Sequence, residues 1–144
     1  MQDILRRLKA FKDILAPALD GCMRPIAEFG VAVAGAVLSA TGIIASLLAE
    51  ASIIADIPAT IAFVVSLLGF IASLAGLFLS AQDVSDCLNE QLSKAEKAGD
   101  GSKVTKLQKI IKAFNENLEG IKQDANKIKE LANQLKELLN QARR

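Results

Sequence analysis

The chain has 144 residues, 51% of them hydrophobic and 23% charged, with 17 Lys and Arg against 16 Asp and Glu. That length is one domain with room for a buried core, and a net charge of +1 excludes a global field toward nucleic acid or an acidic partner. There is no His, Trp or Tyr, which removes the commonest general base and metal ligand and the aromatic girdle usual in membrane proteins.

The first stretch, MQDILRRLKAFKDILAPALD, interleaves charges with apolar residues, so it reads as part of the fold and not as a secretory signal. Ile4, Leu8, Phe11 and Leu15 recur at helical spacing, with Arg6, Arg7, Lys9 and Lys12 on other faces, and Pro17 ends or kinks this amphipathic helix. Pro25 suits a first helical turn, opening a second helix that extends to about Ser52. Asp56 is a plausible N-cap with Pro58 in the first turn of a third helix, which continues to the AGDGS turn at 98–102. A fourth helix follows over 102–142. The expected organisation is thus one domain, 1–144, with an amphipathic helix in 1–23, a hairpin of helices in 24–55 and 56–98, and a coiled-coil-like helix in 102–142.

The hairpin is the unusual part. No charge lies between Glu28 and Glu50, a gap of 21 residues, nor between Asp56 and Asp83, a gap of 26; about 20 apolar residues suffice to span a bilayer as helix. All Lys and Arg fall outside this region. Nine large apolar residues between Phe29 and Leu48 and thirteen between Ile57 and Leu79 favour insertion by about 3–5 and 4–8 kcal/mol respectively, before the Gly, Ser and Thr offsets. The connecting loop carries only Glu50 and Asp56, whose transfer across a bilayer costs less if they protonate.

Both hairpin helices repeat the pattern Gly-x3-Ser-x2-Gly-x3-Ser, in GAVLSATGIIAS from Gly35 and GFIASLAGLFLS from Gly69. Extended to their neighbours, these are two small-residue stripes: Ala32, Gly35, Ser39, Gly42 and Ser46 in one helix, and Ala62, Ser66, Gly69, Ser73, Gly76 and Ser80 in the other. Folding one helix on the other predicts a zipped antiparallel seam, Ser46 facing Ala62, Gly42 facing Ser66, Ser39 facing Gly69, Gly35 facing Ser73 and Ala32 facing Gly76. Small residues facing each other let backbones approach closely, with Ser hydroxyls bonding across the helices or back to carbonyls. The same register sets Cys22 nearly opposite Cys87. Their separation excludes a local metal motif and leaves two readings: a disulfide, implying an oxidising compartment, or two buried free thiols.

The last helix carries a heptad of Val104, Leu107, Ile111, Phe114, Leu118, Ile121, Ala125, Ile128, Ala132, Leu135 and Leu139, a seam that expects a partner helix. Lys103, Lys106, Lys109 and Lys112 form a basic run that reads either as a lipid-headgroup contact or as a solvated face. GDGSK lacks the spacing of a phosphate loop. With no nucleophile–base pair and no metal cluster, no enzyme activity, cofactor, metal or nucleic-acid partner is expected.

An apolar, Gly-rich helical hairpin over 29–82 flanked by heptad helices resembles the layout of α-helical pore-forming proteins: cytolysin A-like toxins, colicin pore domains and apolipoprotein L proteins. The resemblance is one of pattern and carries no residue-level function. The helical spacing itself, with the 102–142 helix long enough to cover the third helix and the first helix able to cover the second, makes an all-α antiparallel four-helix bundle with the hairpin central the expected fold. The resemblance implies that the hairpin is sequestered in the soluble form and inserts after rearrangement, here expected as an oligomer. The expected function is therefore membrane-active, as a pore former or anchor, in a secreted or membrane-associated protein whose partners are a lipid bilayer and other copies of itself. Two alternatives stand beside it: a soluble or secreted interaction or lipid-binding bundle whose hairpin stays in the core, and a permanent two-span membrane protein.

Overall fold

In a computed structural model the chain is described over residues 2–49 and 57–142, with side chains over 2–44 and 60–141. The described residues form four α-helices, α1 (Gln2–Leu15), α2 (Met23–Ala49), α3 (Ile57–Lys97) and α4 (Gly101–Ala142), with a short 3-10 turn at Ala16–Ala18. There is no strand among the described residues. The all-α bundle expected from periodicity is the architecture found.

Each boundary follows local chemistry. Pro17 lies in the 3-10 turn that ends α1, and Pro25 and Pro58 fall in the first turns of α2 and α3, where a missing N–H costs nothing. The α3–α4 turn depends on Gly99, whose φ of +71° is the left-handed value glycine tolerates. Asp100 N–H donates to Ala95 O and Gly99 N–H to Glu96 O, each at 3.1 Å, the paired bonds of a Schellman C-cap. Asp100 then caps the next helix: its Oδ1 accepts from Lys103 N–H at 3.2 Å. Helix α4 therefore opens at Gly101, one residue before the expected start. Asp56, the expected cap of α3, lies outside the described residues, as does Glu50.

The helices form a ring, α2 on α3, α3 on α4, α4 on α1 and α1 on α2. Helix α1 contributes Ile4, Leu8, Phe11 and Leu15 to the core. Phe11, Phe29 and Phe114 meet at its centre with ring centroids 4.9–5.6 Å apart, joining α1, α2 and α4 through edge-on and tilted aromatic contacts. On α4, Leu107, Phe114, Ile121, Ala125, Ile128, Ala132 and Leu135 are buried, while Val104, Ile111, Leu118 and Leu139 are partly buried. Ile110 and Gly120 join them in the interior. The bundle has two ends: α1 is 14 residues against 27 in α2, so four helices pack near the disulfide and only three beyond it.

Candidate functional site

The disulfide is present. Cys22 and Cys87 are bonded, with Cα atoms 6.0 Å apart, and Gln91 Nε2 donates to Gly21 O beside it at 3.3 Å. The antiparallel register inferred from the stripes thus holds at the hairpin's base.

The face turned inward is a different one. A Cβ placed on Gly35, Gly42, Gly69 or Gly76 would meet nothing within 4 Å, and Ala62 and Ser66 are exposed while Ala32, Ser39, Ser73 and Ser80 are only half-buried. The predicted zipping of Gly42 with Ser66, Ser39 with Gly69, Gly35 with Ser73 and Ala32 with Gly76 is therefore not formed. The side chain of Ser46 lies outside those described. Both helices are rotated so that Ala36, Ala40 and Ile43 on α2 and Phe63, Val64, Leu67, Phe70, Leu74 and Leu77 on α3 are buried instead. On α3 the cause is the solvent: in water each large apolar side chain buried contributes about 1.5–3 kcal/mol, and a glycine contributes almost nothing, so water selects the large-residue face. On α2 size does not choose the face, since Ala36 and Ala40 are buried while Val31 and Leu38 stay outside.

What remains outside is a broad uncharged surface. Val31 (75% exposed) and Leu38 (74%) on α2, and Val65 (63%), Leu68 (40%) and Leu79 (68%) on α3 stand out among the stripe residues. Three hydroxyls on this surface bond within their own helices. Ser66 donates to Ala62 O at 2.9 Å, Ser73 to Gly69 O at 3.1 Å and Thr41 to Val37 O at 2.8 Å. They bond backward along the helix, not across the hairpin, and this is how Ser and Thr are carried in an apolar environment.

Among the described residues two helices are long and apolar enough, by length and composition, to cross a membrane: α2 over Met23–Ile44 and α3 over Thr60–Lys97. A soluble core helix passes the same length test but is mostly buried; here only 22% and 33% of the most apolar 18-residue windows are buried. At the hairpin's base the character changes, with Arg24 paired to Glu28 and Lys94 to Glu90. The four lysines of the basic run, at 103, 106, 109 and 112, are all exposed, and Lys103 and Lys106 border the same small cavity as Cys22 and Leu88. Positive charge thus sits by the disulfide and the apolar surface runs away from it.

Helix α4 covers the opposite side of α3. Ile71, Leu74, Ala75 and Phe78 face Lys122, Ala125, Asn126 and Lys129, with the Lys122 ammonium 5.7 Å from the Phe78 ring centroid. No group of three or more His, Cys, Asp or Glu that could hold a metal exists among the described residues. Comparison with protein-family models, curated proteins and solved structures finds no match for the chain.

Proposed function

We propose that the chain is a membrane-active helical protein whose α2–α3 hairpin enters a bilayer, as an oligomeric pore former or anchor. The observation that carries this reading is the exposed, uncharged face of both hairpin helices, on which the Thr41, Ser66 and Ser73 hydroxyls bond inside their own helices. Large apolar side chains left exposed on an uncharged face mark an interaction with lipid or another protein.

The inserted arrangement requires more than contact. Helix α4 carries Lys122, Lys127, Lys129, Glu130, Lys136 and Glu137, all exposed, and such charges cost about 2.5–3.5 kcal/mol each at a bilayer centre. So α4 stays in water and separates from α3 as the hairpin enters, with the Ala98–Asp100 turn as the pivot. The separation uncovers Phe63, Val64, Leu67 and Phe70 for lipid. Within lipid the large-residue face loses its advantage, because hydrocarbon solvates it as well as protein does. Small-residue packing then governs helix contact, and the Gly and Ser stripes become the close-packing face.

Liposome flotation with dye release tests the reading, using anionic and neutral vesicles at neutral and acidic pH. Binding with dye release, lost on Val65→Lys or Leu68→Lys while the soluble helical fold is retained, is the expected result. A wild-type protein that stays unbound and leaves vesicles intact under all conditions overturns it. A protein recovered only with detergent indicates a permanent two-span protein.

A further inference from the structure

Between α1 and α2 lies an open apolar groove of about 740 Å³, within the size range of small-molecule sites. Leu8, Leu15 and Leu19 form one wall, Ile26, Val33 and Val37 the other, and the Phe11 and Phe29 rings contribute to the lining. Its cationic groups are Lys9 and Lys12 on the α1 rim. Both are exposed, and neither forms an ion pair with a carboxylate among the described residues.

We infer that this groove binds a single-chain fatty carboxylate, its acyl chain along the α1–α2 cleft and its carboxylate at Lys9 and Lys12. Length and charge both fit. The lining on the α2 side runs from Ile26 to Leu38 within one helix, a path of about 18 Å at helical rise, which matches a long acyl chain in extended form. The walls offer no polar partner along the cleft, so a polar or branched headgroup finds nothing there, while two free ammonium groups on one rim complement a single anion. The site needs both walls, so the ligand binds the closed bundle and holds α1 against α2. This inference does not depend on hairpin insertion, and its test contains no bilayer.

The test measures palmitate binding by calorimetry and by thermal shift, below the concentration at which palmitate aggregates. Saturable one-to-one binding with a raised Tm is expected, since a ligand that binds only the folded state stabilises it. Gly30→Phe is the plug: Gly30 lines the groove and a Cβ there would meet nothing within 4 Å, so the ring enters open space. It should abolish binding with helical content unchanged; Ala34→Phe, from the same wall, repeats the test if Gly30→Phe misfolds. The Lys9→Glu, Lys12→Glu double variant should weaken palmitate by about tenfold or more, as loss of a charge-assisted contact does, and leave hexadecanol binding unchanged. Val65→Lys, on the outer face of α3, should change neither. The inference is overturned by absent saturable binding, by full palmitate affinity in both plugged variants, by equal losses of palmitate and hexadecanol in the charge variant, or by loss of binding in Val65→Lys.

Discussion

Cys22 at the start of α2 is bonded to Cys87 in the polar half of α3, closing a loop with 65 residues of sequence separation. The bond fixes the base of the hairpin while leaving its apolar part unconstrained. Removing it in a Cys22→Ser, Cys87→Ser variant frees that loop in the unfolded chain and should lower stability by about 4 kcal/mol, the chain-entropy value for a loop of this size. Chemical denaturation with and without reductant measures it. A midpoint indifferent to reduction would show that the bond does not link folding across the two helices.

Arg7 and Gly120 are coupled in a way that a double-mutant cycle can read. The Arg7 guanidinium lies across α4 where a side chain at Gly120 would sit, and its Nε reaches Asp124 Oδ2 at 3.4 Å. Those two atoms are buried without hydrogen-bond geometry, so the contact is an ion pair only, and Arg7 is 37% exposed, so its strength is reduced by solvent. Asn117 Nδ2 also donates to Arg7 O at 2.7 Å. Gly120→Ala gains about 1 kcal/mol of helix propensity and displaces Arg7, losing about 0.5–1 kcal/mol of ion pairing and packing. The net change should be within about 0.5 kcal/mol of zero. In an Arg7→Ala background the full gain of about 1 kcal/mol should appear. Equal effects in both backgrounds would show that Arg7 does not depend on the glycine.

The sequence made the skeleton legible because its signals were local and redundant. The Ile4–Leu15 stripe, Pro17, Pro25, Pro58 and the AGDGS turn each place a boundary through backbone chemistry. The α4 heptad has one apolar side, so periodicity alone tells which face is inside. Helices α2 and α3 are apolar all round, and there periodicity cannot choose a face. The stripe of Gly and Ser is regular enough to suggest an interface, yet in water burial area outweighs close approach and Phe63, Leu67 and Phe70 take the interior. The register survived that error because Cys22 and Cys87 sit at the base, where it is set by the pair itself. The α1–α2 groove was not legible at all, since it arises from how far apart two helices stand, and no residue pattern encodes that distance.

Entry of α2 into a bilayer also requires α1 to leave it, because α1 covers α2 through Phe11. Its ring lies 4.9 Å from that of Phe29 and 5.5 Å from that of Phe114. Phe11→Ala should lower stability by about 3–5 kcal/mol, the usual cost of emptying an aromatic core position. It should also speed vesicle binding, followed by stopped-flow dye release, because the closed bundle is the state being left. A destabilised variant that binds vesicles no faster than wild type would remove α1 release from the mechanism.

The stripe glycines now make the sharpest test of how water and lipid select different faces of the hairpin. Gly69 and Gly76 are exposed, and a Cβ at either meets nothing within 4 Å. In water, then, Gly69→Leu and Gly76→Leu clash with nothing and exchange a poor helix former for a good one, a gain of about 0.5–1 kcal/mol each. Tm should stay level or rise. In a bilayer the same side chains stand where two helix backbones would have to approach closely, and small residues are what permit that approach. Dye release should fall sharply while flotation with vesicles persists, because the added leucines favour lipid contact. One substitution therefore leaves stability in water and vesicle binding intact while permeabilisation falls. If the leucine variants permeabilise vesicles as well as wild type, the stripes are not the packing face in lipid, and the hairpin works through the large-residue face it already uses in water.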